Sequence, residues 1–171
     1  REDNRILFFG TLNYGPNAEG VLWFCREVLP RVRLQVPNAW LAIVGKDAPE
    51  RVRDLAAQPG VKHIGFVPDV RPELWSATLS VAPLLSGGGT RLKILEALAA
   101  ECPVVSTSVG AEGLEVVHGE HMIIADTAEE FSRGVVDLLR DPERRKRIVR
   151  NGRALVVQCY DWGPISLELE K

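Results

Sequence analysis

The sequence predicts an α/β fold: a doubly wound, Rossmann-like parallel sheet of about six strands with helices on both faces. Three observations predict it. Short apolar runs of strand length alternate along the chain with segments of helical periodicity, and that alternation builds right-handed crossovers onto a parallel sheet. The first run, residues 5–10 (R-I-L-F-F-G), shows no polar alternation after its first residue, the pattern of a strand buried on both faces. A loop with two turn formers follows the first run, and three consecutive glycines follow the fourth. In a 3-2-1-4-5-6 strand order these two loops flank the switch point, where ligands bind outside the carboxyl ends of the strands.

Taken in order, residues 11–16 (T-L-N-Y-G-P) form the first loop, and Asn17 reads as the N-cap of a helix with Glu19 in its first turn. Val21, Leu22, Phe24, Cys25, Val28, Leu29 and Val32 recur at helical spacing, and Pro30 kinks that helix rather than ending it. Residues 40–45 make the second strand, 49–57 a polar-faced helix and 61–65 a short third strand. A loop over 65–69, a short helix over 70–77 and a fourth strand over 79–82 follow. Residues 103–107 read as the fifth strand, 109–114 as a loop with two more glycines, and 121–125 as a short sixth strand. Helices over 129–139 and 142–159 close the pattern. The basic run of the last one (Arg144, Arg145, Lys146, Arg147, Arg150, Arg153) reads as a solvated face.

The stretch that organises the chain is 84–99, L-L-S-G-G-G-T-R-L-K-I-L-E-A-L-A. Gly87, Gly88 and Gly89 let backbone approach a ligand closely, and the helix that follows offers unpaired N–H groups and the positive end of its dipole. Together they make an anion site suited to phosphate. On that helix Gly89, Lys93, Glu96 and Ala100 fall on one stripe. A single carboxylate, Glu96, two turns below such a loop suits the hydroxyls of a ribose. Taken singly the parts are weaker: three glycines also make a plain loop, and Lys93 with Glu96 is an ordinary i,i+3 pair.

Composition excludes several classes. With 171 residues the chain has room for one sizeable core, too little for two full domains. A net charge of −2 argues against nucleic-acid binding, which favours a basic excess. Cys25, Cys102 and Cys159 are widely spaced and odd in number, which fits a reducing compartment better than a disulfide framework. No apolar run approaches the roughly 18 residues of a membrane span. Residues 1–4 read as a linker, so the sequence reads as a domain excised from a longer protein. The dinucleotide pattern G-x-G-x-x-G, the P-loop and the G-x-S-x-G elbow are all missing. His63, His118 and His121 have no metal-site spacing, and His121 reads as a surface or packing residue. What is left is a nucleotide site without redox chemistry or an obvious nucleophile.

At this point the segments G-T-L-N-Y-x-P-N, P-N-A-W-L-A-I-V-G, G-F-V-P-D-V-R-P, A-P-L-L-S-G-G-G-T-R-L-K-I-L-E-A-L-A, P-V-V-S-T-S-V-G-A-E-G-L and Y-D-W stand in one order along nearly the whole chain. They resemble a group 1 glycosyltransferase, more closely the C-terminal, nucleotide-sugar-binding half of a retaining family 4 enzyme of the GT-B fold. The resemblance implies transfer of a hexosyl group from a nucleoside-diphosphate sugar to an acceptor. It also implies a cytoplasmic protein of polysaccharide biosynthesis, with an acceptor that is membrane-associated in some members. No metal and no cofactor beyond the donor is expected.

The family carries an E-x7-E pair. Glu96 matches the second glutamate, which holds the ribose hydroxyls; the first, which contacts the donor sugar, falls on Gly88. The basic pair that holds the diphosphate after the first strand falls on Thr11 and Pro16. Arg91 and Lys93 are therefore the expected catalytic cations. Gly10 and Thr11, Gly87, Gly88 and Gly89, and the backbone N–H groups of Thr90, Arg91 and Leu92 are expected around the donor. Val67 is expected to pack against the base through its backbone, with Phe66 either beside it or in the core. Residues 1–171 would form one donor-binding domain, with 160–171 starting a helix that crosses to an N-terminal acceptor domain absent from this sequence. Two other readings stay open: an epimerase or hydrolase acting on the nucleotide-sugar without an acceptor, and a non-catalytic nucleotide-sugar-binding module.

Overall fold

The computed structural model describes residues 2–88 and 91–160. Gly89, Thr90 and the segment from Asp161 onward, including the expected crossing helix, lie outside the described residues. Six strands form one sheet: β1 (Arg5–Phe9), β2 (Trp40–Val44), β3 (Val61–Gly65), β4 (Leu79–Ala82), β5 (Val104–Ser106) and β6 (Ile123–Ile124). Their order is β3-β2-β1-β4-β5-β6, and every pairing is parallel. The order reverses between β1 and β4, matching the 3-2-1-4-5-6 order weighed from the sequence.

All five residues of β1 are buried, and alternate side chains serve opposite faces of the sheet. Ile6 and Phe8 join Val21, Phe24, Leu41, Ile43 and Phe131 in one apolar cluster. Leu7 and Phe9 join Ala42, Val44, Leu74, Ile94 and Leu98 in another. The first cluster is covered by α1 (Gly15–Trp23), α2 (Leu29–Gln35) and α7 (Ala128–Arg140). The second is covered by α4 (Arg71–Ser76) and α5 (Leu92–Ala99). The remaining helices are α3 (Glu50–Arg53), which runs into a 3₁₀ turn over Asp54–Ala57, α6 (Ser108–Ala111) and α8 (Pro142–Cys159).

Pro30 acts as the sequence implies. It has no N–H to give to the preceding turn, and the residues before it, Phe24–Val28, widen into a π turn that lets the helix run on into α2. Leu29 N–H reaches the Phe24 carbonyl. Phe131 of α7 locks this turn, with its ring edge-on to Trp23 at 5.6 Å and to Phe24 at 5.9 Å. At the opposite end of β1, buried Arg5 is ion-paired with Glu2 and Glu73 and lies 5.3 Å over the Trp40 ring.

Two sequence readings need correction. Asn17 is not an N-cap: α1 begins at Gly15 with Pro16 in its first turn, and Tyr14 stands at the cap position. Proline's pre-set φ and missing N–H favour that first turn. Residues 109–114 are not only loop: Ser108–Ala111 form the single helical turn α6, with Thr107 as its N-cap, accepting from Gly110 N–H.

Gly20 sets how closely α1 sits on the sheet. A methyl group there would lie 2.3 Å from the Pro83 carbonyl oxygen at the end of β4. Gly20→Ala should therefore cost about 1–3 kcal/mol through overpacking, although alanine favours helix. Urea unfolding reads this, and an unchanged midpoint would contradict the close approach.

Candidate functional site

The carboxyl ends of β1 and β4 open into a cleft of about 620 Å³. Thr11, Asn13, Tyr14 and Asn17 line it from the β1 side, and Leu84, Gly88, Arg91 and Lys93 from the β4 side. Gly110 of α6 closes one end. The loop after β4 is tied down from β5: Ser106 Oγ donates to the Ala82 carbonyl at 3.1 Å, and Thr107 Oγ1 to the Leu84 carbonyl at 2.5 Å. Gly87 takes φ +102°, a backbone region that glycine alone adopts without strain, and a Cβ there would crowd Pro16 and the Tyr14 hydroxyl.

Arg91 is buried just ahead of α5. Its Nη2 donates to the Gly87 carbonyl at 3.0 Å and to Glu112 Oε2 at 3.3 Å, so it braces the glycine loop as well as charging the cleft. Glu112 is largely exposed, and the pair is correspondingly weak. Arg91 Nε is buried without a hydrogen-bond partner.

Lys93 points into the same cleft. Its Nζ donates to Asn17 Oδ1 at 2.5 Å and stands 5.0 Å over the Phe8 ring. Burial above all, together with the neighbouring Arg91 charge and partly opposed by Glu96, brings the pKa of its ammonium down to about 8. Glu96 is exposed, and its carboxyl is pushed up by partial burial against the pull of Lys93.

The structure thus brings Thr11, Gly88, Arg91 and Lys93 to one cleft, with Gly10 directly behind Lys93: a Cβ on Gly10 would lie 3.1 Å from Lys93 Nζ. Glu96 faces elsewhere. It lines a neighbouring groove of about 750 Å³ between α4 and α5, together with Pro68, Leu74 and Trp75. Lys93 and Glu96 therefore straddle α5 instead of sharing one wall. Phe66 is 68% exposed, which removes the core alternative, while Val67 packs partly against the second apolar cluster. Leu92, the first residue of α5, has an exposed side chain. A Cβ on Gly88 would meet nothing within 4 Å, so packing does not demand glycine there.

Sequence reasoning did not assign Asn13, Tyr14, Asn17, Leu84 or Gly110 to the site, and Asn17 is the one of these that touches Lys93 through its side chain. The available signal was Gly15-Pro16, which starts the helix early and moves Asn17 inside it. A larger groove of about 810 Å³ follows α8. It lies away from the strand ends, and three of its lining cations are engaged locally: Arg145 on the Leu138 and Leu139 carbonyls, Lys146 on Glu143, Arg153 on the Ala99 carbonyl. His118 and His121 accept backbone N–H groups of Ile124 and Val117 through Nδ1, which makes them local braces. Among the described residues no helix is long and apolar enough to cross a membrane.

Residues 3–141 match the model of a protein family described as glycosyl transferases group 1. The chain belongs to that family. Two curated relatives are similar along almost all of this group 1 chain. A phosphatidyl-myo-inositol mannosyltransferase of Mycobacterium leprae is 29% identical over 96% of the chain and 44% of its own length. An uncharacterised glycosyltransferase of Methanocaldococcus jannaschii is 32% identical over 98% and 44%. The chain therefore spans less than half the length of the curated relatives it matches. Among solved structures, Anabaena HepE in complex with UDP and glucose superposes with TM-score 0.77 at 19% identity, covering 99% of this chain and 47% of that one. The six-stranded sheet is thus that of the C-terminal Rossmann-like domain of GT-B glycosyltransferases.

The Lys93 environment has a stability consequence. In the unfolded chain the lysine keeps its ordinary value near 10.5, against about 8 when folded. Below about 8 both states hold the proton and the cost of the buried charge is fully present; between the two values the unfolded chain binds more protons, so stability rises with pH. Lys93→Met abolishes that rise. Urea midpoints at about pH 7 and about pH 9.5 should show the parent gaining on the variant as pH increases, and parallel behaviour would refute the burial of this charge.

Proposed function

We propose that this chain is the donor-binding half of a retaining, family 4 glycosyltransferase that takes a hexosyl group from a nucleoside-diphosphate sugar. The observation that carries the reading is the meeting of two cations, Arg91 and Lys93, with the glycine loop and the start of α5 in one cleft at the strand switch point. The diphosphate lies against Arg91, Lys93 and the N–H groups of residues 90–92. Glu96, on the other flank of α5, holds the ribose hydroxyls, and residues 66–68 border the base. HepE's complex with UDP and glucose, and the mannosyltransferase among the relatives, support a nucleotide-sugar donor and hexosyl transfer.

As the bond from the anomeric carbon to the diphosphate breaks, negative charge gathers on the leaving group. Fixed cations and oriented N–H groups stabilise that charge most. Arg91 and Lys93 take this role without a metal. A covalent route to retention needs a carboxylate beside the anomeric carbon, and Gly88 supplies none. Attack from the face the diphosphate leaves, with the diphosphate accepting the acceptor's proton, fits better. The acceptor site belongs to an N-terminal domain, and a lipid-linked or polysaccharide acceptor at the inner membrane face fits the whole enzyme. The 171-residue chain alone binds donor and turns over poorly or not at all.

Calorimetric titration with UDP and GDP tests the reading. One of the two should bind in the micromolar range, with at least about a tenfold loss, or about 1.4 kcal/mol, in Lys93→Ala and in Glu96→Ala. No heat with either nucleotide counts against a donor site. Free sugar or an epimer formed from the donor alone would replace transfer with the hydrolase or epimerase reading.

A further inference from the structure

We propose that Asn17 is a positioning residue: its side chain joins the Thr11 carbonyl to the Lys93 ammonium and holds that ammonium where an anionic ligand meets it. The inference rests on the donor reading for the identity of the ligand, a diphosphate. The geometry is specific. Asn17 is 5% exposed, inside the first turns of α1. Its Nδ2 donates to the Thr11 carbonyl at 2.9 Å, and its Oδ1 accepts from Lys93 Nζ at 2.5 Å.

The amide orientation follows from chemistry: a carbonyl only accepts and an ammonium only donates, so the amide must present NH₂ to one and oxygen to the other. No other side chain of this size does both. Aspartate would set a carboxylate oxygen against the Thr11 carbonyl, and leucine would leave both partners unmatched. Gly10 makes room for the arrangement, since a Cβ there would fall 2.9 Å from Asn17 Nδ2 and 3.1 Å from Lys93 Nζ.

The pair has a second property. Every element around Lys93 bears on its charge. Arg91, on the same stretch, disfavours the ammonium, and Glu96 favours it. From β1 comes only the Phe8 ring, and from α1 only the neutral Asn17. Tyr14 lines the cleft from the β1 loop, and Glu112 acts at one remove through Arg91. Among the described residues no carboxylate is in hydrogen-bonding contact with it, so the ammonium depends on the Asn17 oxygen until an anion arrives. Lys93 then binds its proton more tightly when the site is filled, and anion affinity falls as pH rises through about 8.

The test uses the 171-residue chain with lysine labelled at 13Cε, assigned by the signal lost in Lys93→Met. Lys93 is titrated by NMR, and binding of pyrophosphate, UDP and GDP is measured by calorimetry from about pH 7 to about pH 9.5. The parent should lose about tenfold in affinity across that range. Asn17→Leu should lower the lysine midpoint and weaken binding about tenfold at pH 7. Asn17→Asp, close to isosteric and so the variant that keeps the fold, should raise the midpoint yet also weaken binding, because the ammonium is then neutralised in place. A residue that only packs α1 would change melting temperature alone. If the parent binds and both variants bind equally with an unmoved Lys93 midpoint, the positioning role falls while the donor reading stands. If the parent binds none of pyrophosphate, UDP and GDP, the donor reading falls, and the diphosphate assigned here falls with it.

Discussion

Burial of β1 on both faces is the constraint from which the rest of the molecule follows. A strand with Ile6 and Phe8 on one side and Leu7 and Phe9 on the other needs helices above and below it, and parallel neighbours to take its backbone bonds. Parallel neighbours require crossovers, and the crossovers from β1 and β4 leave in opposite directions. The space between their carboxyl ends cannot be filled by either connection. The cleft is thus a topological by-product of the core, which is why this architecture so readily presents ligand-binding loops.

The chain charges that space sparingly. Arg91 and Lys93 come from the segment that leaves β4, and the β1 side contributes neutral groups: Thr11, Asn13, Tyr14 and Asn17. Arg91 is spent partly on the Gly87 carbonyl and on Glu112. A buried arginine keeps its charge under any ordinary condition, whereas a buried lysine yields its proton readily. The two cations therefore do different work: Arg91 is a permanent charge that also holds the loop, and Lys93 is a titrating one tuned by its surroundings. Moving both cations onto one side makes the opposite wall a hydrogen-bonding surface, and it makes α1 a partner of α5 through Asn17.

Most of the fold was legible because its signals are local and repeated. Apolar runs without alternation located the strands within a residue or two, and the periodicity from Val21 to Val32 located the long helix through Pro30. Where sequence reasoning slipped, two local rules competed. Asn17 carries a good capping side chain, but Gly15-Pro16 starts the helix earlier, and proline in the first turn outweighs an asparagine one position later. Thr107 caps a single turn too short to show any periodicity. Within the site, Lys93 and Glu96 read as one stripe because they lie three residues apart, yet the curvature of the helix surface sends one into the cleft and the other into the α4–α5 groove.

By itself the sequence determined the alternation of strands and helices, the loops that follow the first and fourth strands, the glycine stretch, and the presence of Arg91 and Lys93 beside it. These depend on hydrophobic period, on turn chemistry and on residue type, which are properties of short stretches. Only the tertiary structure decided what those cations touch. Thr11 and Asn17 are near neighbours in the chain, but Lys93 lies 76 residues beyond Asn17 and meets it because β1 and β4 are neighbours and α1 lies tight against the end of β4 at Gly20. The lowered proton affinity of Lys93 arises the same way, since desolvation is a property of surroundings assembled from several elements.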